Sequence, residues 1–359
     1  MTDTSMITNI KRSDDSTSGL DSLFDYNASD VEHEKKVEAK EGLMKVAFAE
    51  FDRYITSNGV ATNYSNDIVL LPKEINQVLQ LTKSYSHDWN YQFYACGFFT
   101  SLLENSYNFG HNNFYLNLED FPLIDYLCHG ISSKRILSPM KIKIDGDVGS
   151  EFGFGSTDIN IILNGFASNN FLEDSMYSKA IVLGNIGNSA FLDAKESSIF
   201  VKGNVGENFC SSSMESHAFL IGNAKRLFGS NSYSLNAIVL GDAIDDFCSN
   251  SKRGNIFIKG DVNDYAAYGA KDLALTIIGN AGTMFGYDSK GVSCVIDGNV
   301  GRKFAYKSDG LRGLISGKSG REFLEQSYES NAIKGESAKN NPKFKEQIDS
   351  FKRRLKRWQ

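Results

Sequence analysis

Glycine recurs every 19 residues along half of this chain, at Gly146, Gly165, Gly184, Gly203, Gly222, Gly241, Gly260, Gly279, Gly298 and Gly317. The chain holds 32 glycines in 359 residues. At that frequency ten in register have a chance probability on the order of 10⁻¹⁰, so the period marks a structural repeat. A 19-residue unit is too short for a pair of helices. Its apolar residues alternate locally, as Ile142 and Ile144 or Ile256 and Ile258 do, which is the period of a strand. One strand plus turns that return the chain one layer further on is a solenoid.

Other positions keep the same step. Two residues before each glycine stand Ile144, Leu163, Val182, Val201, Leu220, Val239, Ile258, Ile277, Ile296 and Ile315, all aliphatic. Six residues after it stands phenylalanine, replaced only by Ala190 and Ala266; ten after it stands serine, replaced only by Ala194 and Ala270. Coils stacked ~4.8 Å apart turn the aliphatic positions into an inner ladder and the phenylalanines into an aromatic stack. The two alanine pairs share coils and predict a locally smaller interior there. The glycine suits a corner that needs a positive φ or no side chain.

The spacing Gly-x-x-Gly-x-x-x-Gly is complete at Gly146, Gly149, Gly153 and at Gly279, Gly282, Gly286. It resembles the GXGXG repeat family, which includes the C-terminal domain of the large chain of glutamate synthase and the β-helical component of formylmethanofuran dehydrogenase. That resemblance covers about residues 140–325. It implies a right-handed parallel β-helix of about ten coils and a scaffold domain without catalytic residues of its own. The second motif glycine recurs only at Gly149, Gly187, Gly206, Gly282, Gly301 and Gly320. No segment resembles a glutaminase domain, a flavin barrel or an iron–sulfur cysteine cluster.

The flanks differ from the repeats. Up to residue 42 there are ten Asp/Glu against five Lys/Arg, and few apolar residues, which predicts a disordered acidic arm over 1–38. Residues 39–139 read as a small, mainly helical domain. Leu43, Val46, Phe51, Tyr54 and Ile55 recur at helical spacing, Pro72 opens a second helix, and a third runs from about Asp88 to Glu104. Phe114 to Leu118 reads as a strand within that domain. The repeats occupy 140–335. Over 336–359 a basic amphipathic helix carries Phe344, Ile348, Phe351, Leu355 and Trp358, spaced 4, 3, 4, 3. An uncovered solenoid end invites end-to-end pairing, so this helix is expected to cap the last coil.

The residue three before each glycine should point outward. That position holds Ile162, Ile181, Phe200, Phe219, Ile238 and Phe257 in consecutive coils. A bare stripe of this length exceeds what monomers usually expose. It is expected to meet another protein layer, either the N-terminal domain or a partner. The residue after the glycine is mostly Asn or Asp. Asp242 and Asp261 fall in adjacent coils, at a separation that would suit a glycosidase pair, but a solvated turn row accounts for them better.

No catalytic, cofactor-binding or metal-binding set emerges. His217 stands alone in the repeats, the serines have no matching histidines, and no P-loop or strand-to-helix GxGxxG occurs. Cys96, Cys128, Cys210, Cys248 and Cys294 are odd in number and without CxxC spacing, which reads as free thiols in the cytoplasm. Cys210 and Cys248 lie two coils apart, roughly 9.6 Å, too far for a disulfide. No apolar run reaches ~18 residues and no secretory h-region opens the chain. A net charge of −6 predicts no DNA binding, while the basic tail leaves RNA or an anionic surface open. The expectation is a non-enzymatic scaffold that needs no cofactor and binds a protein partner or itself; a carbohydrate-active β-helix enzyme is the alternative.

Overall fold

The structure is a computed structural model that describes residues 42–56, 68–132 and 138–358, with side chains described as far as 353. The acidic arm over 1–38 lies outside the described residues. All twelve strands are parallel and follow in sequence order, forming a β-solenoid of about ten turns. Contacts divide the chain into two compact units, with the boundary between Phe191 and Leu192.

The first unit opens with helices α1 (Leu43–Thr56), α2 (Pro72–Leu81) and α3 (Tyr91–Asn108). Pro72 stands in the first turn of α2, where its missing N–H costs nothing, and the Glu74 carboxylate accepts the Leu71 N–H at 2.9 Å. Phe51 is the centre of the helical layer, with Phe98 at 5.2 Å and Tyr91 at 5.9 Å between ring centroids. The strands β1 (Asn113–Asn117), β2 (Met140–Asp145), β3 (Ile159–Asn164) and β4 (Lys179–Val182) follow.

β1 pairs with β2, Phe114 opposite Ile142 and Leu116 opposite Ile144. The ladder therefore begins one strand before the glycine period does. The offset across β1 and β2 is 28 residues, set by Phe114 opposite Ile142, because extra residues loop out of this coil. Leu118 then stands where later coils carry glycine. A Cβ on Gly146 would sit 2.5 Å from the Leu118 carbonyl carbon, so the first register glycine already has a layer beneath it.

α2 and α3 lie on the open side of this first coil. Asn76 Oδ1 accepts the Asn117 N–H at 2.8 Å, and Gln80 Nε2 donates to the Asn117 carbonyl at 2.7 Å. Thr100 Oγ1 accepts the Cys128 N–H at 2.9 Å. Side chains thus meet backbone groups that another coil would otherwise pair.

The second unit continues with β5 (Ser198–Val201), β6 (His217–Leu220), β7 (Tyr233–Val239), β8 (Lys252–Ile258), β9 (Ala274–Ile277), β10 (Ser293–Ile296), β11 (Arg312–Ile315) and β12 (Asn331–Lys334). A four-residue helix α4 (Glu336–Lys339) and the helix α5 (Pro342–Trp358) close the chain. Register is constant at 19 residues, as Val201 opposite Leu220 and Ile258 opposite Ile277 show. Two further lines of parallel bridges run through each coil, for example Val205 to Ala224 and Lys271 to Lys290.

The expected ladders are present. The Phe209, Phe228 and Phe247 rings stack at 5.5 and 5.0 Å, and Phe285, Phe304 and Phe323 at 5.4 and 5.1 Å. The smaller interior expected at Ala190 does not occur, because the next residue, Phe191, turns inward and is fully buried.

The glycine position is settled in favour of close approach. Apart from Gly146 the register glycines do not take positive φ. A Cβ on Gly260 would collide with Asp242 Oδ1 and lie 2.5 Å from the Gly241 carbonyl oxygen. The left-handed residues are others. Asn208, Cys210, Ser212 and Glu215 have φ of 59°, 55°, 53° and 51°, and the same four offsets recur in every coil. Each such residue costs about 1–2 kcal/mol when it is not glycine. The ladder compensates, since the flips aim N–H groups along the stack: Asn208 and Glu215 donate to Arg226 and Tyr233 in the next coil at 3.0 and 2.8 Å.

Candidate functional site

The outward apolar position was the principal candidate surface. In the first unit it holds Ile162, half-buried, and Ile181, buried. In the second unit Phe219, Ile238 and Phe257 are buried, and what covers them is the chain's own C-terminal helix. Phe351 is wholly buried in one cluster with these three, with half-buried Phe200 beside them. Its ring stacks on Phe257 at 5.6 Å, nearly parallel at 6°. One to two turns further back on the same face, Phe344 and Ile348 pack on Val295, with Leu314 and Ile278 alongside.

The helix expected over the last coil is therefore laid along the outward strand face. The physical reason is area. The 4, 3, 4 spacing gives α5 a continuous apolar stripe, and the outward residues are the matching continuous stripe. The side chains of Leu355 and Trp358 lie outside the described residues. Outside this stripe α5 exposes Lys343, Lys345, Lys352 and Arg353.

Beside α5 runs a groove of about 450 Å³, floored by Phe257, Thr276 and Val295 and walled by Ser293, Arg312 and Gln347 among others. Thr276 is the one polar residue at the outward position between Ile162 and Leu314. Sequence reasoning placed a stripe here and did not see the groove, because it forms only once Lys343, Glu346 and Gln347 of α5 stand against the strands.

The Asn/Asp position has a backbone role. Asn204, Asn223, Asp242, Asp261, Asn280 and Asn299 each use Oδ1 to accept the N–H of the equivalent residue one coil on, at 2.6 to 2.9 Å. The job needs an acceptor at that atom and no charge, which is why Asn and Asp alternate freely. Asp242→Asn is accordingly expected to leave thermal stability unchanged, whereas Asp242→Ala strands the Asp261 N–H and costs about 1 kcal/mol, as for a lost helix N-cap. Paired thermal melts of the two variants check this.

The remaining candidates sort by burial. All five cysteines are free. Burial pushes the Cys210 and Cys248 thiols well up and that of Cys294 to about 12, so they stay protonated and weakly reactive. Burial likewise lowers the pKa of His217. Ser251, Ser289 and Ser308 donate to carbonyls three residues back at 2.6 to 2.7 Å. Among the described residues no three His, Cys, Asp or Glu side chains gather as a metal site, and no helix is long and apolar enough to cross a membrane.

Two features escaped the sequence reading. Trp89 and Phe93, two apolar residues of the segment expected as the third helix, are 79% and 61% exposed. Helical spacing identified the segment, but α3 begins at Tyr91, so Trp89 precedes the helix and Phe93 lies in its first turn. The second is the coil that ends the solenoid. There Tyr328 is 68% and Ile333 41% exposed. No protein-family model, curated protein or solved structure matches the chain.

Proposed function

We propose that this chain is a non-catalytic scaffold of the cytoplasm that holds another protein, with the exposed pair Trp89 and Phe93 as its docking point. The observation carrying this reading is that pair. Large aromatics left in water beside a layer that buries Phe51, Phe98 and Phe99 are of the kind enriched at protein interfaces. The coils from Gly146 onward keep a constant length and supply no loops to wall a substrate cleft. The two carboxylates that might have formed an acid–base pair, Asp242 and Asp261, are engaged as backbone acceptors. Five free thiols suit a reducing compartment.

Affinity purification of the tagged full chain from its own cells, beside a Trp89→Glu, Phe93→Glu variant, tests the proposal. Wild type should retain a stoichiometric partner, and the variant should lose it with an unchanged circular dichroism spectrum. Capture that is indifferent to the substitutions removes the docking point. A glycan-cleaving activity abolished by Asp242→Asn would replace the scaffold reading altogether.

A second reading has its own observation, the exposed Lys343, Lys345, Lys352 and Arg353 on α5. These could bring the chain to RNA or an anionic lipid surface, with binding that weakens steeply as salt rises.

A further inference from the structure

The solenoid's two terminal coils are finished differently. The first is covered by α2 and α3, whose Asn76, Gln80 and Thr100 side chains bond its backbone. The last has only the single turn α4, which buries Ala338. In the coil before it, Val300, Lys303, Lys307 and Gly310 each donate an N–H to the coil that follows. Their counterparts Ser319, Glu322, Gln326 and Glu329 have no acceptor among the described residues.

The apolar interior is uncovered at the same place. Phe323 stacks on Phe304 at 5.1 Å, and its ring otherwise meets the Lys334 ammonium, 4.3 Å from the centroid. Leu324 and Ala332 are only half-buried, although their equivalents Ala305 and Gly313 are buried.

We propose that this last coil is a dimerisation face that takes the same coil of a second copy, tail to tail. On the first coil α2 and α3 already occupy Asn117 and Cys128 and stand where a second solenoid would stack, so head-to-tail growth into a fibre is obstructed and a closed twofold pair remains. The charges fit that symmetry. Between Gly317 and Asn341 stand Lys318, Arg321, Lys334 and Lys339 against Glu322, Glu325, Glu329 and Glu336, a balanced set that can pair with its own copy.

A twofold axis through β12 sets that strand antiparallel to its partner, with Ile333 near the axis. Unpaired backbone stands on all three lines of this coil, β12 and both bridge lines. A lone extended peptide would satisfy one of them; a second coil meets all three. Lys334 must leave Phe323 or pair with a partner carboxylate, so the association is of moderate strength. The inference does not depend on Trp89 and Phe93, and holds or fails apart from the scaffold reading.

Sedimentation equilibrium of the full chain over the micromolar range is the test. The mass should rise from 39.8 kDa toward twice that value, and no further. Ile333→Lys should raise the dissociation constant at least about tenfold while leaving the circular dichroism unchanged. Ile333→Cys should give a disulfide-linked pair on oxidation. A wild-type chain that stays at 39.8 kDa overturns the proposal, as does a dimer indifferent to Ile333→Lys or an open-ended series of larger species.

Discussion

Replacing Phe351 with Ala is expected to release α5 from the sheet. The side chain is wholly buried against Phe219, Ile238 and Phe257, and removing a buried Phe costs about 3–5 kcal/mol. The loss falls on docking of one helix rather than on the coil ladder, so the solenoid should stay folded while α5 opens. Amide exchange over 342–353 should rise at least about 100-fold, the equivalent of 3 kcal/mol, and an apolar dye should bind the uncovered row. Lys345→Ala, on the exposed side of the same helix, should change neither. Unaltered exchange in Phe351→Ala would mean that α5 is held by something other than this stripe.

The largest effect belongs to the glycine register. Gly260→Ala would put a methyl group on Asp242 Oδ1 and 2.5 Å from the Gly241 carbonyl oxygen. Neither can give way. The carboxylate oxygen holds the Asp261 N–H at 2.9 Å, and the carbonyl accepts the Gly260 N–H at 3.2 Å. The two coils must part, at a cost above about 3 kcal/mol. Because each coil leans on the next, the damage spreads along the stack. Adding Asp242→Ala should not rescue the variant, since the backbone collision remains. Gly313→Ala is the control. Its Cβ would meet no backbone atom, only Ala332 Cβ at 3.0 Å and Cys294 Sγ at 3.4 Å, so a shift of a few tenths of an ångström accommodates it. Chemical denaturation of the three variants measures the difference. Equal stability of Gly260→Ala and Gly313→Ala would remove close approach as the reason for the 19-residue glycine.

These two positions also show why some of the protein was legible and some was not. The period, the inner aliphatic ladder and the phenylalanine stack follow from local rules: each residue's neighbour is its own equivalent one coil on, so a repeat in sequence is a repeat in space. Phe114 to Leu118 read as a strand but not as part of the solenoid, because its coil carries extra residues and lacks the glycine. The left-handed residues stayed hidden for a related reason. They are set by the hydrogen-bond ladder, and residues as different as Cys210 and Glu215 adopt them.

The candidate surface divides in the same way. Amphipathic spacing alone identified both Phe351 with its neighbours on α5 and the outward row from Ile162 to Phe257, because burying apolar faces is a requirement that each segment states by itself. Which face met which was a tertiary matter. Three layers needed covering: the first coil, the outward row and the last coil. The helices α2 and α3 carry Asn76, Gln80 and Thr100, whose polar atoms bond backbone, and they took the first coil. α5 carries an unbroken apolar stripe without such groups on it, and it took the outward row. The sequence by itself thus determined a stacked β-solenoid and the apolar stripes it had to hide, since those depend on short-range periodicity. Only the tertiary structure decided the pairing of stripes and left the last coil open, because that outcome compares segments far apart in the chain.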